Sequence, residues 1–131
     1  MNIRPATFDD ADRLFRWRND PATRAASVQY DLVECVQHHQ WLLNRLAMKE
    51  PNLFIFEVNS VAVGTFRIDD GKLSYTIASE HRGKGHGTEM LRMIFNKYGP
   101  LVAEIYSDNT ASIKAAKKAG MNVVLIERSS E

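Results

Sequence analysis

Arg82-Gly83-Lys84-Gly85-His86-Gly87 separates a stretch of strand character from one of helical character. Before it, Lys72 to Ala78 reads as a strand. After it, Thr88 to about Tyr98 carries Met90, Leu91, Ile94 and Phe95 on one helical face. The first turn of a helix has N–H groups without intrahelical partners, and glycine lets a ligand approach that backbone closely. The stretch therefore reads as an anion site that a pyrophosphate would fill, with Arg82 and Lys84 adding positive charge beside it. It matches neither common nucleotide loop. A Walker A loop ends in Gly-Lys-Ser/Thr, whereas Thr88-Glu89 follow Gly87. The dinucleotide fingerprint GxGxxG is missed at its last spacing, and the stretch follows a hairpin meander instead of opening a βαβ half.

Working outward, Leu53 to Val58 and Val61 to Phe66 read as a hairpin around Asn59-Ser60, and Asp69-Asp70-Gly71 turns the chain into the strand from Lys72. Toward the N-terminus, Met1 to Thr7 reads as a strand with Pro5 near an edge or end. A helix follows from Ala11 to about Asn19, capped by Asp9 or Asp10 and stopped by Asn19-Asp20-Pro21. A second helix is expected over Val33 to Met48, with Val36, Leu42, Leu43 and Leu46 on its apolar face and Asp31 or Glu34 near its positive end. Beyond the glycines, Gly99-Pro100 breaks the helix, and Leu101 to Tyr106 is a strand apolar on both sides of Glu104, hence central. Asn109 to Ala119 is a helix with Asp108 or Asn109 at its cap and Gly120 at its end, and Met121 to Ile126 is a last strand before a polar tail. The order β-α-α-β-β-β-α-β-α-β describes one mixed α/β (α+β) domain over residues 1–131.

Composition agrees with that size. The chain has 131 residues, is 44% hydrophobic and 25% charged, and needs no staples to hold one core. One cysteine, Cys35, excludes an internal disulfide framework. A net charge of +1 gives no nucleic-acid footprint, and no apolar run is long enough to span a bilayer. The expectation is a cytoplasmic protein with no nucleic-acid or membrane partner. His38, His39, His81 and His86 lack ligand spacing, so no metal is expected.

Arg82-x-x-Gly85-x-Gly87 after a meander strand resembles the signature of the GNAT (Gcn5-related) N-acetyltransferase superfamily. Asn109-Thr110-Ala111-Ser112-Ile113 followed by Lys118-Ala119-Gly120-Met121 is similar to its second block, about 25 residues further on. The resemblance implies the acyl-CoA N-acyltransferase fold, a mixed sheet splayed between its fourth and fifth strands with acetyl-CoA in the gap. It implies that Tyr75-Thr76-Ile77-Ala78 forms the fourth strand, with Ile77 and Ala78 beside pantetheine. It further implies that the N–H groups of Gly83, Lys84, Gly85, His86, Gly87 and Thr88 hold pyrophosphate beside Arg82, and that Asn109 and Ser112 contact the pantetheine or support the acetyl end. The expected reaction is direct acetyl transfer to a neutral amine, which needs two aligned reactants, oxyanion stabilisation and two proton movements. Glu104, alone in an apolar strand beside the expected gap, is the candidate base, with His81 a second choice. Many members carry a tyrosine acid seven residues beyond the asparagine. Ala116 stands there, which leaves Tyr106, Ser107 and Ser112 as hydroxyl candidates, or water. The usual seventh strand also has no counterpart, so the acceptor site is expected to lie open or to be completed by a partner subunit, in a monomer or homodimer.

On the acceptor side, Phe15-Arg16-Trp17-Arg18-Asn19-Asp20 places an aromatic plate beside donors and a carboxylate, a group that suits a sugar ring and phosphates. It resembles the helix end of acetyltransferases acting on 4-amino sugars of UDP-linked intermediates (the pseudaminic acid pathway type), and also the same region of ribosomal-protein N-terminal acetyltransferases. Trp17, Arg18, Asn19 and His81 are thus the acceptor-binding candidates, and His38, His39 and Trp41 of the second helix could line the same cleft. The first choice is a nucleotide-activated amino-sugar N-acetyltransferase. Peptide or small-amine acetylation and a non-catalytic acyl-CoA-binding module remain alternatives.

Overall fold

Cross-strand pairing turns the alternating segments into a six-stranded sheet whose strands lie side by side in chain order. The computed structural model describes residues 1–20 and 34–127. Its elements are β1 (Asn2–Pro5), α1 (Ala11–Asn19), α2 (Cys35–Leu46), β2 (Leu53–Val58), β3 (Val61–Asp69), β4 (Lys72–Ile77), α3 (His86–Tyr98), β5 (Val102–Tyr106), α4 (Thr110–Ala119) and β6 (Asn122–Ile126). Short 3-10 turns occupy Phe8–Asp10 and Ser79–His81. The expected element order is observed. β1 to β4 run antiparallel, and β4, β5 and β6 run parallel. Pro5 ends the edge strand β1, and β5 is central.

Both central residues of the β2–β3 turn, Asn59 and Ser60, take positive φ (52° and 66°). That is the twist a two-residue hairpin requires. The pleat then sorts the strands onto two faces. Phe54, Phe56, Phe66, Leu73, Ala103 and Ile105 bury against Met90, Leu91 and Ile94 of α3 and Ala116 and Ala119 of α4. Leu53 and Ile55 face the other way, against Ala11, Leu14 and Trp17 of α1 and Leu42 of α2. Each fully buried large side chain contributes about 1.5–3 kcal/mol.

Two expectations are corrected. The buried residues of α2 are His38 and Leu42, one turn apart, while Val36 and Leu43 are exposed. The (i, i+4) pair faces the sheet, and Val36 and Leu43, seven apart, lie together on a different stripe. Asp10 stands at the N-cap of α1 but makes no cap bond. Its buried carboxylate accepts two hydrogen bonds from Arg4 at 2.8 Å, the Thr7 N–H at 2.9 Å and Arg13. Burial works to raise the Asp10 pKa, but these donors outweigh it and hold the group below its ordinary value. The Asp31 expectation lies outside the described residues, and Glu34 does stand at the positive end of α2, as its N-cap, without a side-chain cap bond.

The feature that positions the site is where β4 and β5 part. They pair only at Lys72↔Val102 and Leu73↔Ala103, whereas β5 stays with β6 along five registered pairs. β4 meanwhile follows β3 to Gly64↔Ile77. From Ser74 onward the sheet is open between them. Among the described residues no helix is long and apolar enough to cross a membrane, and no group of His, Cys, Asp and Glu could hold a metal ion.

Candidate active site

The open wedge leads straight to the glycine stretch. Gly83 and Gly85 take φ of +77° and +81°, which L side chains rarely adopt, and a Cβ built on either would meet nothing within 4 Å. Glycine is needed there for conformation and not for crowding, and the backbone stays open to approach. Gly85 is the N-cap, so α3 starts at His86, two residues earlier than expected. The first in-helix bond runs from the Glu89 N–H to Gly85 O at 3.2 Å. The N–H groups of His86, Gly87 and Thr88 precede it and project from the helix end. Gly83, Lys84 and Gly85 are exposed. Arg82, expected to add charge here, turns its guanidinium inward. Its Nε donates to Ile77 O at 2.8 Å, and Nη1 lies 3.2 Å from Asp20 Oδ2, tying the end of β4 to the end of α1. Lys84 is the exposed cation of the loop.

Inside the wedge, the pleat turns Tyr75 and Ile77 toward α3 and α4, and Ser74 and Thr76 toward the α1–α2 face. Asn109 caps α4 by accepting the Ser112 N–H at 3.4 Å. The Ser112 hydroxyl meets the Tyr75 hydroxyl at 2.5 Å, so the two expected cofactor contacts sit at the wedge's α4 wall with a tyrosine that the sequence did not single out. Burial raises the Tyr75 pKa, with the Ser112 hydrogen bond opposing, so the phenol keeps its proton at neutral pH. Ala116, where a tyrosine would otherwise stand, is fully buried in the core.

Glu104 is the first β5 residue beyond the last β4 pair, on the α1–α2 face opposite Ala103 and Ile105. Lys72 Nζ lies 2.9 Å from its Oε1, and this contact raises the lysine's pKa. Tyr106 follows on the same face, half-buried. Ser107 follows at the end of β5. Its hydroxyl donates to Glu127 at 3.0 Å and its N–H to Ile126 O at 2.9 Å, so it serves the end of β6.

Trp17 is not the exposed plate the sequence suggested. It is 5% exposed among Leu14, Leu42, Ile55 and Ala78, and its indole Nε1 is buried without a hydrogen-bond partner among the described residues. Its place in the helix, three residues after Leu14, puts it on the core stripe. Arg18 and Asn19 lie half-buried beside it at the helix end, and half-buried His81 closes the 3-10 turn through its N–H to Ala78 O at 2.9 Å. The aromatic surface on this face belongs to α2. His38 packs between Phe15 and Trp41, with centroids 5.5 and 5.3 Å away. Burial, then the charges of His39 and Arg18, lower its pKa, so the imidazole is neutral at pH 7. Half-buried Trp41 is flanked by Arg45 and Arg67, each with its guanidinium carbon 5.8 Å from the ring centroid. The sequence reading missed Arg67. A lone arginine in a meander strand carries no signal until its neighbours across the sheet are known.

This arrangement can grip a phosphate-bearing, peptide-like arm along an open strand edge and present its far end to a carboxylate and hydroxyls. The acetyltransferase (GNAT) domain family matches residues 1–122. No curated protein matches the chain. Among solved structures, the ribosomal-protein-alanine N-acetyltransferase from Brucella melitensis is 29% identical, with TM-score 0.71 over 92% of this chain and 83% of that one. The putative acetyltransferase yncA from Salmonella typhimurium, solved with acetyl-CoA, is 25% identical, with TM-score 0.68 over 92% and 78%. The aminoglycoside acetyltransferase AAC(6')-Ib, in complex with coenzyme A and kanamycin, shares the fold at 18% identity and TM-score 0.70, over 91% and 82%.

Proposed function

The chain belongs to the acetyltransferase (GNAT) domain family, and on that premise we propose that it transfers acetyl directly from acetyl-CoA to the primary amine of a nucleotide-activated amino sugar. The observation that carries the reading is the β4–β5 wedge opening onto the glycine-led start of α3. An extended amide arm fits beside the unpaired edge of β4, and a pyrophosphate fits the N–H groups of Gly85 to Thr88. Ile77, Ala78, Asn109 and Ser112 line the path between them. Acetyl-CoA supplies an activated acyl group as a thioester.

The chain's own residues supply the rest. Glu104, at the closed end of the wedge where the strands begin to part, accepts the proton released by the attacking amine, directly or through water, with the Lys72 ammonium beside it. Tyr106 and the Ser112–Tyr75 pair are the hydroxyl donors on the two sides of the opening. Arg18, Asn19 and His81 border the acceptor side. The neighbouring α1–α2 face carries Arg45 and Arg67 beside the Trp41 ring, which favours an anionic acceptor over a polycationic one.

The likeness to the Brucella ribosomal-protein-alanine N-acetyltransferase favours a second reading, acetylation of a protein N-terminus. Incubating the protein with acetyl-CoA and either a UDP-linked 4-amino sugar or alanine-starting peptides, while following thiol release, separates the two. Turnover of the sugar nucleotide is expected. Exclusive turnover of peptides would replace the first reading with the second.

A further inference from the structure

We propose that Arg45 and Arg67, both beside Trp41, form a subsite for a phosphate or diphosphate group of the acceptor. The inference deepens the sugar-nucleotide reading and rests on it.

The position comes from strand register. Arg67 of β3 pairs with Ser74 of β4, the first residue past the last β4–β5 pair. Phe66 and Ile68 face α3 and α4, so the alternation sends Arg67 to the α1–α2 face, as it does Ser74. Neighbouring strands lie about 5 Å apart. The base of Arg67 is therefore one strand away from the closed end of the wedge, where β4 and β5 begin to part, on the face where Glu104 also stands.

The chemistry comes from an excess of cation. Asp69 is the carboxylate that meets both arginines, with Oδ1 2.5 Å from Arg45 Nη2 and Oδ2 3.4 Å from Arg67 Nε. It is about half exposed, and the second contact lacks hydrogen-bond geometry. The Nε atoms of Arg45 and Arg67 are both buried without a hydrogen-bond partner among the described residues. Among the described residues two guanidiniums thus share one partly solvated carboxylate. Burial, then Arg45, depress the Arg67 pKa, with Asp69 opposing and Arg18 adding to the depression. The Nε atoms themselves are shielded, but the Arg67 side chain is 42% exposed, so its guanidinium end can meet an acceptor from outside beside the aromatic face. A phosphate offers the charge and the bidentate geometry that arginine forks match. Trp41, with cations on its ring, gives a base or sugar a surface to lie against.

The same chemistry could serve a phosphate of coenzyme A, so the test separates the sources. Calorimetry with UDP, inorganic pyrophosphate and uridine measures the subsite directly, and acetyl-CoA titration serves as the control. UDP and pyrophosphate should bind, with uridine at least about 10-fold weaker. Arg67→Gln should weaken UDP by about 10-fold, the loss expected for a charge-assisted hydrogen bond, while leaving acetyl-CoA affinity unchanged. Arg67→Lys, which keeps the charge and loses the fork, should fall between. Arg45→Gln gives an independent check if Arg67→Gln does not fold. Equal UDP affinity in folded Arg67→Gln, or a loss of acetyl-CoA affinity instead, would overturn the subsite. If the UDP-linked sugar turns over with a KM indifferent to both arginines, the subsite falls and the sugar-nucleotide reading stands. If pyrophosphate binding depends on Arg67 yet no sugar nucleotide turns over, the reading falls and the subsite stands.

Discussion

Replacing Gly85 by alanine tests the loop where conformation and chemistry meet. Its φ of +81° costs an L residue about 1–2 kcal/mol, and the new Cβ adds no clash because nothing lies within 4 Å. The whole penalty is therefore conformational. A loss of that size should lower Tm by about 3–10 °C for a chain of this length. Gly87 supplies the contrast. Its φ is not positive, and a Cβ there makes an ordinary 3.7 Å contact with Ile77 Cγ1. Inside the first turn of α3, Gly87→Ala should stabilise by about 0.5–1 kcal/mol. The two alanines thus move stability in opposite directions. Acetyl-CoA affinity should fall by about 10-fold or more in Gly85→Ala, because relieving the strain turns the N–H groups of His86 to Thr88 away from a common point. Gly85→Asn should recover part of the stability, since asparagine visits the left-handed region. Thermal melts and calorimetric titration of acetyl-CoA read both effects. A Gly85→Ala protein with wild-type melting would refute the conformational argument. One with lowered melting and unchanged affinity would refute the anion site and leave only a strained turn.

Glu104→Gln should lower turnover by about 10²–10⁴-fold, the usual worth of a positioned base, with acetyl-CoA affinity intact; an unchanged rate–pH profile would remove it from that role. Arg4→Met leaves buried Asp10 short of its bidentate partner and should cost about 3–5 kcal/mol in denaturant unfolding. Because the Asp10 pKa is depressed in the folded state, its stabilisation is fully present above the unfolded value of 3.8 and is lost as pH falls through the folded value. Arg4→Met should therefore also unfold at higher pH on acid titration. His38 is likewise depressed, so stability should begin to fall as pH drops below its unfolded value of 6.5 and level off beneath its folded value. Stability curves of wild type and His38→Gln between pH 7 and 5 should then differ in slope, and parallel curves would contradict the buried neutral imidazole.

The glycine turn before α3 and the Asn109 cap were legible because they are local. Gly83, Gly85, Gly87 and the Asn109 cap act through backbone geometry over a few residues, and such geometry leaves its mark in residue type. Arg82 shows where that legibility ends. Its position in the loop suggested a ligand, but its guanidinium reaches Ile77 O and Asp20, a partner 62 residues away. Trp17 and His38 fail for a related reason. Helical phase relative to the sheet decides which side of α1 and α2 is buried: of the apolar residues expected on the α2 core face, Leu42 is fully buried, whereas Val36 and Leu43 are exposed.

By itself, then, the sequence determined the order of the elements, the hairpin at Asn59-Ser60, the glycine-led start of α3 and the cap at Asn109. Each is a short-range consequence of φ preference, period or capping. Tertiary structure alone decided that β4 and β5 part after Leu73, that the Tyr75 hydroxyl meets Ser112, and that Arg45 and Arg67 flank Trp41. Those contacts join residues 4 to 37 positions apart, or join them across strand register. They form only when burial of the two sheet faces sets which side chains share a surface.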